Sequence, residues 1–369
     1  MSTNPSKKNS HLFFMQLALN QAKKGIGKTG QNPSVGCVIV KNNVVISSAH
    51  TGCNGRPHAE SLAIKRADKN LNKSSIYITM EPCSNYGKTS PCVNAIIKSK
   101  IKKVFYSIKD PDIRSYGKAK RSFLKNKIFV NEGLLRKKVS QFYKSYFFAK
   151  NKKKSFLISK LAISNDNYSK TKKNKWITNF YSRMRGHILR SECDAILSTS
   201  TTIIDDNPNL NCRIDGLEEF SPSKFIIDQK LNIPLSANIF KQSKKIKTYI
   251  FYNLKKNTKL TFFKRNNIKC IYMNLSNKKI SLELVLEKIF KLGYSRILLE
   301  GGIVINIEFL KKMLIDQFYI FQSNKNLNSN GLNPSYKILN FLKSKHNIES
   351  KYEFISNKEK IKIFNLKNV

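Results

Sequence analysis

At 369 residues the chain exceeds one ordinary core, and two domains of roughly 150 and 200 residues are its natural division. Hydrophobic residues make up 40% and aromatics 11%, which excludes global disorder, and no run approaches the ~20 apolar residues of a membrane span. The 68 Lys and Arg against 23 Asp and Glu, a formal +45, raise nucleic-acid binding as a function, but the bases are mostly Lys spread end to end beside abundant Asn, which reads as compositional drift.

Lys7 and Lys8 precede LFFMQLALN, an amphipathic run without a small-residue cleavage site, expected to be the first helix of a cytoplasmic protein. That helix continues through NQAKK and is stopped by Gly25, Gly27 and Gly30. VGCVIV and NVVISSAH, separated by KNN, predict a hairpin. PHAESLAIKRA predicts a helix with Pro57 near its start, SIYITM a buried strand, PCVNAIIKSK a helix entered at Pro91, and KKVFYSI another strand. The alternation predicts a layered α/β domain. At Ala149–Ser155 the composition becomes AKNKKKS, so the expected domains are 1–149 and 150–369. Beyond it, RMRGHILRSE reads as a helix, AILST, KFIID, RILLE and FYIFQ as strands, and the stretch past about Asn333 as weakly patterned.

Three separated segments carry chemistry: His58-Ala59-Glu60, Pro82-Cys83 and Pro91-Cys92. H-x-E followed by P-C and a second Cys is the signature of zinc deaminases. One imidazole and two thiolates hold Zn²⁺ tetrahedrally and leave a position open for water, whose pKa the metal lowers toward 7. Glu60, two residues from a ligand, takes the water proton and passes it to the departing amine. Cys92 follows a proline at a predicted helix start, where the dipole favours a thiolate. Cys37, Cys53, Cys193, Cys212 and Cys270 are assigned to packing or surface, because seven scattered cysteines form no disulfide framework. GIGKT at Gly25–Thr29 imitates a phosphate loop, but Ala22 stands where that loop needs glycine and a helix, not a strand, leads in.

The eight residues SNYGKTSP between Cys83 and Cys92 are not the C-x-x-C of nucleic-acid deaminases. EPCSNYGKTSPC, NPSVGCVIV and GRPHAE resemble the bifunctional riboflavin-biosynthesis deaminase/reductase family. KLAISND, KWIT, HILRSECDAIL, STTIIDDNPNLNCR and ILLEGG continue the resemblance in order, over roughly residues 10–320. It implies a cytidine-deaminase-like α/β/α domain followed by a dihydrofolate-reductase-like α/β domain. It implies zinc-dependent deamination of 2,5-diamino-6-(5-phosphoribosylamino)pyrimidin-4-one, then reduction of the ribosyl chain to ribityl with NADPH. By position, Asn32, His50 and Lys88 would line the deaminase pocket. Ala162, Trp176, Thr178, Thr202, Asp206 and Gly302 would contact the nicotinamide cofactor. Asn174, Arg190, Leu210, Arg213 and Glu300 would hold the reductase substrate. A cytoplasmic homo-oligomer with a small-molecule substrate, and neither nucleic acid nor membrane as partner, is the implied setting.

Read without the resemblance, Glu300-Gly301-Gly302 suits a strand-end turn where backbone approaches a phosphate, and Arg190 and Arg213 suit a bidentate grip on one. Departures from the family pattern include Asn85 for a histidine, DPDIRSYGKAK for a loop with more glycine and proline, and SNDN at Ser164–Asn167 for SLDG. Two alternatives stay open: an active deaminase with a non-catalytic second domain, and a nucleic-acid-editing deaminase.

Overall fold

The computed structural model describes residues 5–67, 70–87, 89–172, 176–344, 349–354 and 359–366. It divides into two compact units, Met1–Lys153 and Lys154–Val369. AKNKKKS is helical as far as Lys152, so the division falls a few residues after the expected one.

In the first unit, α1 (Pro5–Lys24) leads to the hairpin β1 (Gly36–Lys41) and β2 (Val44–His50). Its turn places Asn42 and Asn43 at φ 48 and 63, the left-handed pair that a tight two-residue hairpin needs and that Asn tolerates. There follow α2 (Ala59–Arg66), β3 (Ser75–Met80), α3 (Cys92–Lys98), β4 (Lys103–Ile108), α4 (Lys118–Lys125), β5 (Phe129–Glu132), α5 (Arg136–Phe142) and α6 (Lys144–Lys152). The sheet order is β2-β1-β3-β4-β5, with β1 antiparallel to both neighbours and β3, β4 and β5 parallel. Strand alternation divides the apolar residues between two faces. Ile39, Ile76, Ile78 and Val104 pack with Ala63 of α2, Ile96 of α3 and Phe123 of α4. Val38, Tyr77 and Phe105 pack with Phe14, Met15 and Ala18 of α1. The result is the predicted helix–sheet–helix layering, and both P-C segments lie in the connection from the C-terminal end of β3 to α3.

The second unit runs β6 (Phe156–Ile163), β7 (Tyr168–Thr171), α7 (Phe180–Ser191), β8 (Ala195–Thr199), α8 (Ser200–Asp206), β9 (Ser223–Ile227), β10 (Thr248–Tyr252) and α9 (Lys259–Arg265). It continues with β11 (Ile268–Tyr272), β12 (Leu275–Ser276), β13 (Lys279–Ile280), α10 (Leu282–Lys291), β14 (Arg296–Glu300) and α11 (Ile303–Lys311). It closes with β15 (Gln317–Gln322), β16 (Gly331–Pro334), α12 (Tyr336–Ser344), β17 (Glu349–Phe354) and β18 (Lys360–Asn365). The main sheet has the order β11-β10-β9-β8-β14-β6-β15-β18-β17, parallel from β11 to β15, with β18 and β17 added antiparallel. The stretch past Asn333, weakly patterned in sequence, thus supplies two strands of this sheet. Leu157, Leu197, Phe225, Phe251, Leu299 and Phe318 build one core face with Val285 and Ile289 of α10.

Candidate active sites

The first site grows from three loop–helix junctions. The chain reaches His58 through a turn in which Gly55 has φ 83, and a Cβ there would lie 2.1 Å from the Asn32 side chain. Glycine therefore lets Asn32 pack directly on the turn that feeds His58. His58 is the N-cap of α2, and Glu60 lies in that helix's first turn, 3% exposed. Cys83 follows β3, and Cys92 opens α3. One ligand atom from each of His58, Cys83 and Cys92 lies within 4.8 Å of the others. His58 Nδ1 is 3.3 Å from Cys92 Sγ and 3.5 Å from Cys83 Sγ. A tetrahedral zinc with Zn–N and Zn–S bonds of about 2.0 and 2.3 Å has N···S edges of about 3.6 Å, so this donor set fits the ion.

The Cys92 backbone N–H donates to Cys83 Sγ at 3.3 Å, so the α3 N-terminus also favours a thiolate on Cys83, and zinc would hold both sulfurs as thiolates. Hydrogen bonding from Cys92 and then from His58 outweighs burial and draws the Cys83 thiol down to about 4, while the same Cys83 bond, followed by burial, pushes Cys92 up. Burial, with the Cys83 charge adding, raises the Glu60 carboxyl to about 7.

Around this cluster, His50 ends β2, lowered first by burial and then by the charges of Lys28, Lys24 and Arg66. Arg56 Nη1 donates to Thr89 Oγ1 at 2.6 Å, tying the H-x-E turn to the inter-cysteine loop. Two of the departures are bonded to each other, Ser115 Oγ donating to Asn85 Oδ1 at 2.5 Å. The loop that holds Ser115 is pinned in turn by Glu81, which accepts the Gly117 and Ala119 N–H groups at 2.9 and 3.1 Å. Lys88 lies outside the described residues.

The second site sits at the C-terminal ends of β6, β8 and β14. Arg190 on α7 spends its fork on Glu300 at the end of β14, Nε and Nη2 each 2.7 Å from a carboxylate oxygen, and Nη1 donates to Asn211 O at 3.0 Å. It is therefore engaged by Glu300 rather than standing free for a phosphate. Arg213 is exposed, with Nη1 on Asn211 Oδ1 at 2.8 Å. Leu210, 2% exposed, has φ 49, a left-handed backbone that a leucine holds only under constraint. Gly301 packs against α11, where a Cβ would come 2.4 Å from Ile305 Cγ2 and 3.7 Å from Thr202 Oγ1. Gly302 caps α11, and a Cβ on it would meet only open space, which leaves room for a ligand at the helix N-terminus. Thr202 lies in the first turn of α8, its N–H capped by Thr199 Oγ1, and Asp206 is exposed at that helix's last residue. Ala162 is on β6. Trp176 is 55% exposed under the Arg183 guanidinium, 5.1 Å from the ring centroid, and Thr178 is buried with its carbonyl accepting from Arg183. Asn174 lies outside the described residues.

Three further residues join this site without having been singled out in the sequence. Lys160, in register with Glu300 across β6 and β14, has its ammonium lowered by burial against the opposing pull of Glu300. Its signal was a lysine inside the apolar run FLISKLAI. Asn306, fully buried on α11, donates from Nδ2 to the carbonyls of Gly301 and Gly302 at 3.0 Å each and accepts from Ser159 Oγ, fixing the turn. His187 on α7 accepts the Arg213 backbone N–H at Nδ1, 3.2 Å away. Asn306 carries no motif, and although His187 heads the segment HILRSECDAIL nothing in the sequence marked its contact.

Residues 8–108 match the cytidine and deoxycytidylate deaminase zinc-binding region, and residues 155–327 the RibD C-terminal domain. The chain is 31% identical over 310 residues to the riboflavin biosynthesis protein RibD of Aquifex aeolicus, spanning 84% of this chain and 85% of that one. It is 31% identical over 345 residues to RibD of Buchnera aphidicola subsp. Baizongia pistaciae, 89% of this chain and 91% of the relative. Among solved structures it is similar to a diaminohydroxyphosphoribosylaminopyrimidine deaminase/5-amino-6-(5-phosphoribosylamino)uracil reductase from Thermotoga maritima, with a TM-score of 0.84 and 28% identity over 97% of this chain and 99% of that one. RibD of Acinetobacter baumannii shares the fold, with a TM-score of 0.80 at 23% identity over the same shares of the two chains.

Proposed function

The chain belongs to the RibD family of bifunctional riboflavin-biosynthesis deaminase/reductases, and on that premise we propose which of its residues perform the two reactions and on what substrate. The substrate is the phosphoribosylamino-diaminopyrimidinone named for the Thermotoga relative, deaminated in the first unit and then reduced with NADPH in the second. The observation that carries the reading is the triangle of His58, Cys83 and Cys92 with Glu60 buried on the same helix turn as the histidine.

His58, Cys83 and Cys92 hold the zinc, which when bound supplies water acidic enough to attack at neutral pH. Glu60 would take a proton from the attacking water and return it to the leaving amine, and a carboxyl raised to about 7 is poised for both transfers. Asn32, His50 and Lys88 orient the pyrimidine and its phosphoribosyl arm. Lys28, Lys24 and Arg66 act on His50, and that positive surrounding favours a substrate carrying negative charge.

In the second unit the Gly302 turn, held by Asn306, and Thr202 receive the cofactor, with Ala162, Trp176, Thr178 and Asp206 completing its contacts. Arg190 orients Glu300, which with Leu210, Asn174 and Arg213 holds the sugar chain, and Arg213 keeps donors for the phosphate. The enzyme acts as a cytoplasmic homo-oligomer with neither nucleic acid nor membrane as partner. Among the described residues no helix is long and apolar enough to cross a membrane.

The test is a coupled assay on zinc-loaded protein with this substrate and NADPH, following ammonia and NADPH separately. Both signals are expected. A chelator should abolish ammonia release while leaving NADPH oxidation intact on the deaminated intermediate. Ammonia without NADPH consumption would make the second unit non-catalytic, and neither signal from folded protein would overturn the substrate. Light scattering during gel filtration tests the oligomer.

A further inference from the structure

Resting on the reductase reading above, we propose that His187 is a positioning residue of the reductase site, holding the segment from Asn211 to Arg213 so that Arg213 meets the phosphate end of the substrate. Helix α7 carries Arg183, His187 and Arg190 at i, i+4 and i+7, a single stripe along one face. Its two ends are already committed to the site. Arg183 lies over Trp176 and donates to Thr178 O at 2.7 Å, and Arg190 grips Glu300. His187 stands between them, and its Nδ1 accepts the backbone N–H of Arg213 at 3.2 Å.

An imidazole that accepts at Nδ1 and stays neutral carries its hydrogen on Nε2, so this bond selects one tautomer. The charges facing the ring are Arg190 on its own helix, Arg213 on the held segment and Glu300 on β14. Burial comes first, and the two arginines then outweigh the Glu300 carboxylate and a hydrogen bond with the Asn211 backbone, lowering the imidazole to about 4. The Nδ1 lone pair is therefore available throughout the neutral range.

The held segment needs such a restraint. Leu210, immediately before it, is in the left-handed region at φ 49, and a non-glycine residue keeps that conformation only where its surroundings over-determine it. Two bonds from α7 do so: Arg190 Nη1 to Asn211 O, and the Arg213 N–H to His187. Arg190 is shared with Glu300, whereas the His187 bond serves this segment alone. Downstream of it, the Arg213 guanidinium is tied only by Nη1 to Asn211 Oδ1 among the described hydrogen bonds, which leaves donors for an anion. Loss of the His187 acceptor thus lets Arg213 move relative to the substrate and leaves the cofactor turn of Gly301 and Gly302 untouched.

The experiment compares His187→Ala, His187→Asn and His187→Gln in the full chain, using the deaminated intermediate and NADPH. An asparagine oxygen occupies the place of Nδ1, and a glutamine amide that of Nε2. For His187→Ala the expected result is a KM for the intermediate raised about 5- to 10-fold, the size of one lost hydrogen bond, with kcat within about 2-fold. NADPH affinity and the deaminase rate of the same preparations should be unchanged, and His187→Asn should recover most of the KM. A wild-type KM in His187→Ala overturns the proposal, as does recovery by Gln but not by Asn, or a parallel loss of NADPH affinity. Failure of the reductase reading is separately visible, because wild-type protein would then oxidise no NADPH on the intermediate.

Discussion

At Glu60 the chain places a carboxyl that is 3% exposed beside two thiols and an imidazole, on the first turn of a helix. Burial and the Cys83 charge favour its protonated form, the His58 charge and hydrogen bonds its ionised form, so neither state is strongly disfavoured near neutral pH. Glu60→Gln keeps the shape and removes the exchangeable proton. Ammonia release should fall about 10²- to 10⁴-fold, the usual range for one general acid–base. Zinc content by metal analysis and NADPH oxidation on the deaminated intermediate should be retained; a loss of zinc would instead make Glu60 a structural support of the ligands. That His58, Cys83 and Cys92 come together was legible in sequence, because a tetrahedral zinc site admits few residue types at short spacings. The hydrogen bond that lowers Cys83 was not legible. It depends on the Cys92 amide aiming at Cys83, a contact across the inter-cysteine loop.

Helix α7 and strand β14 meet at Arg190 and Glu300, a two-bond pair with side chains 14% and 15% exposed. Burial opposes ionisation of Glu300, but the Arg190 charge and its hydrogen bonds, with Lys160 and His187 adding, hold the carboxyl at about 2 against an ordinary 4.5. A depressed carboxylate contributes stability that is complete above the ordinary value and lost as pH falls from about 4.5 toward 2. Glu300→Gln should therefore flatten the acid limb of the second unit's stability curve. At pH 7 it should cost about 3–5 kcal/mol, because Arg190 is left buried without its partner. Urea unfolding followed by tryptophan fluorescence, with Trp176 as the lone reporter, measures both. An acid limb as steep as wild type would remove Glu300 as its source. Elements differed in legibility as much as residues did. RILLE and AILST are continuous apolar runs and read as strands at once. KIKIFN of β18 does alternate, with Ile361 and Ile363 buried, but lysines between them hide the pattern in a chain where lysine is everywhere. The stripe on α7 was invisible because only the fold shows that its polar face looks onto a site.

For the molecule as a whole the formal charge of +45 is a standing repulsion. Among the described residues few cations are neutralised by deep pairs. Most salt bridges among the described residues are solvent-exposed, such as Lys279–Glu308 and Lys291–Glu287, and such pairs contribute little. Screening should therefore stabilise the fold. Raising NaCl from about 50 to about 300 mM shortens the Debye length from roughly 14 to 6 Å and should raise the melting temperature by calorimetry. A flat or falling response would show that the cations are already compensated. A different consequence follows from the order of strands. In the first unit every strand of the sheet has been made by Glu132, so that sheet can close while the ribosome is still delivering the second half. In the second, the apolar strand β6 is made first, but its neighbours β14 and β15 come far later, and β18 comes later still. During synthesis FLISKLAI must wait unpaired for its sheet, the circumstance in which chains aggregate or need a chaperone. In refolding from urea, zinc-dependent deaminase activity should return before NADPH oxidation, and simultaneous recovery would argue that the two sheets do not close independently. Recovery in the expected order would mean that the chain matures in the order in which its two reactions run.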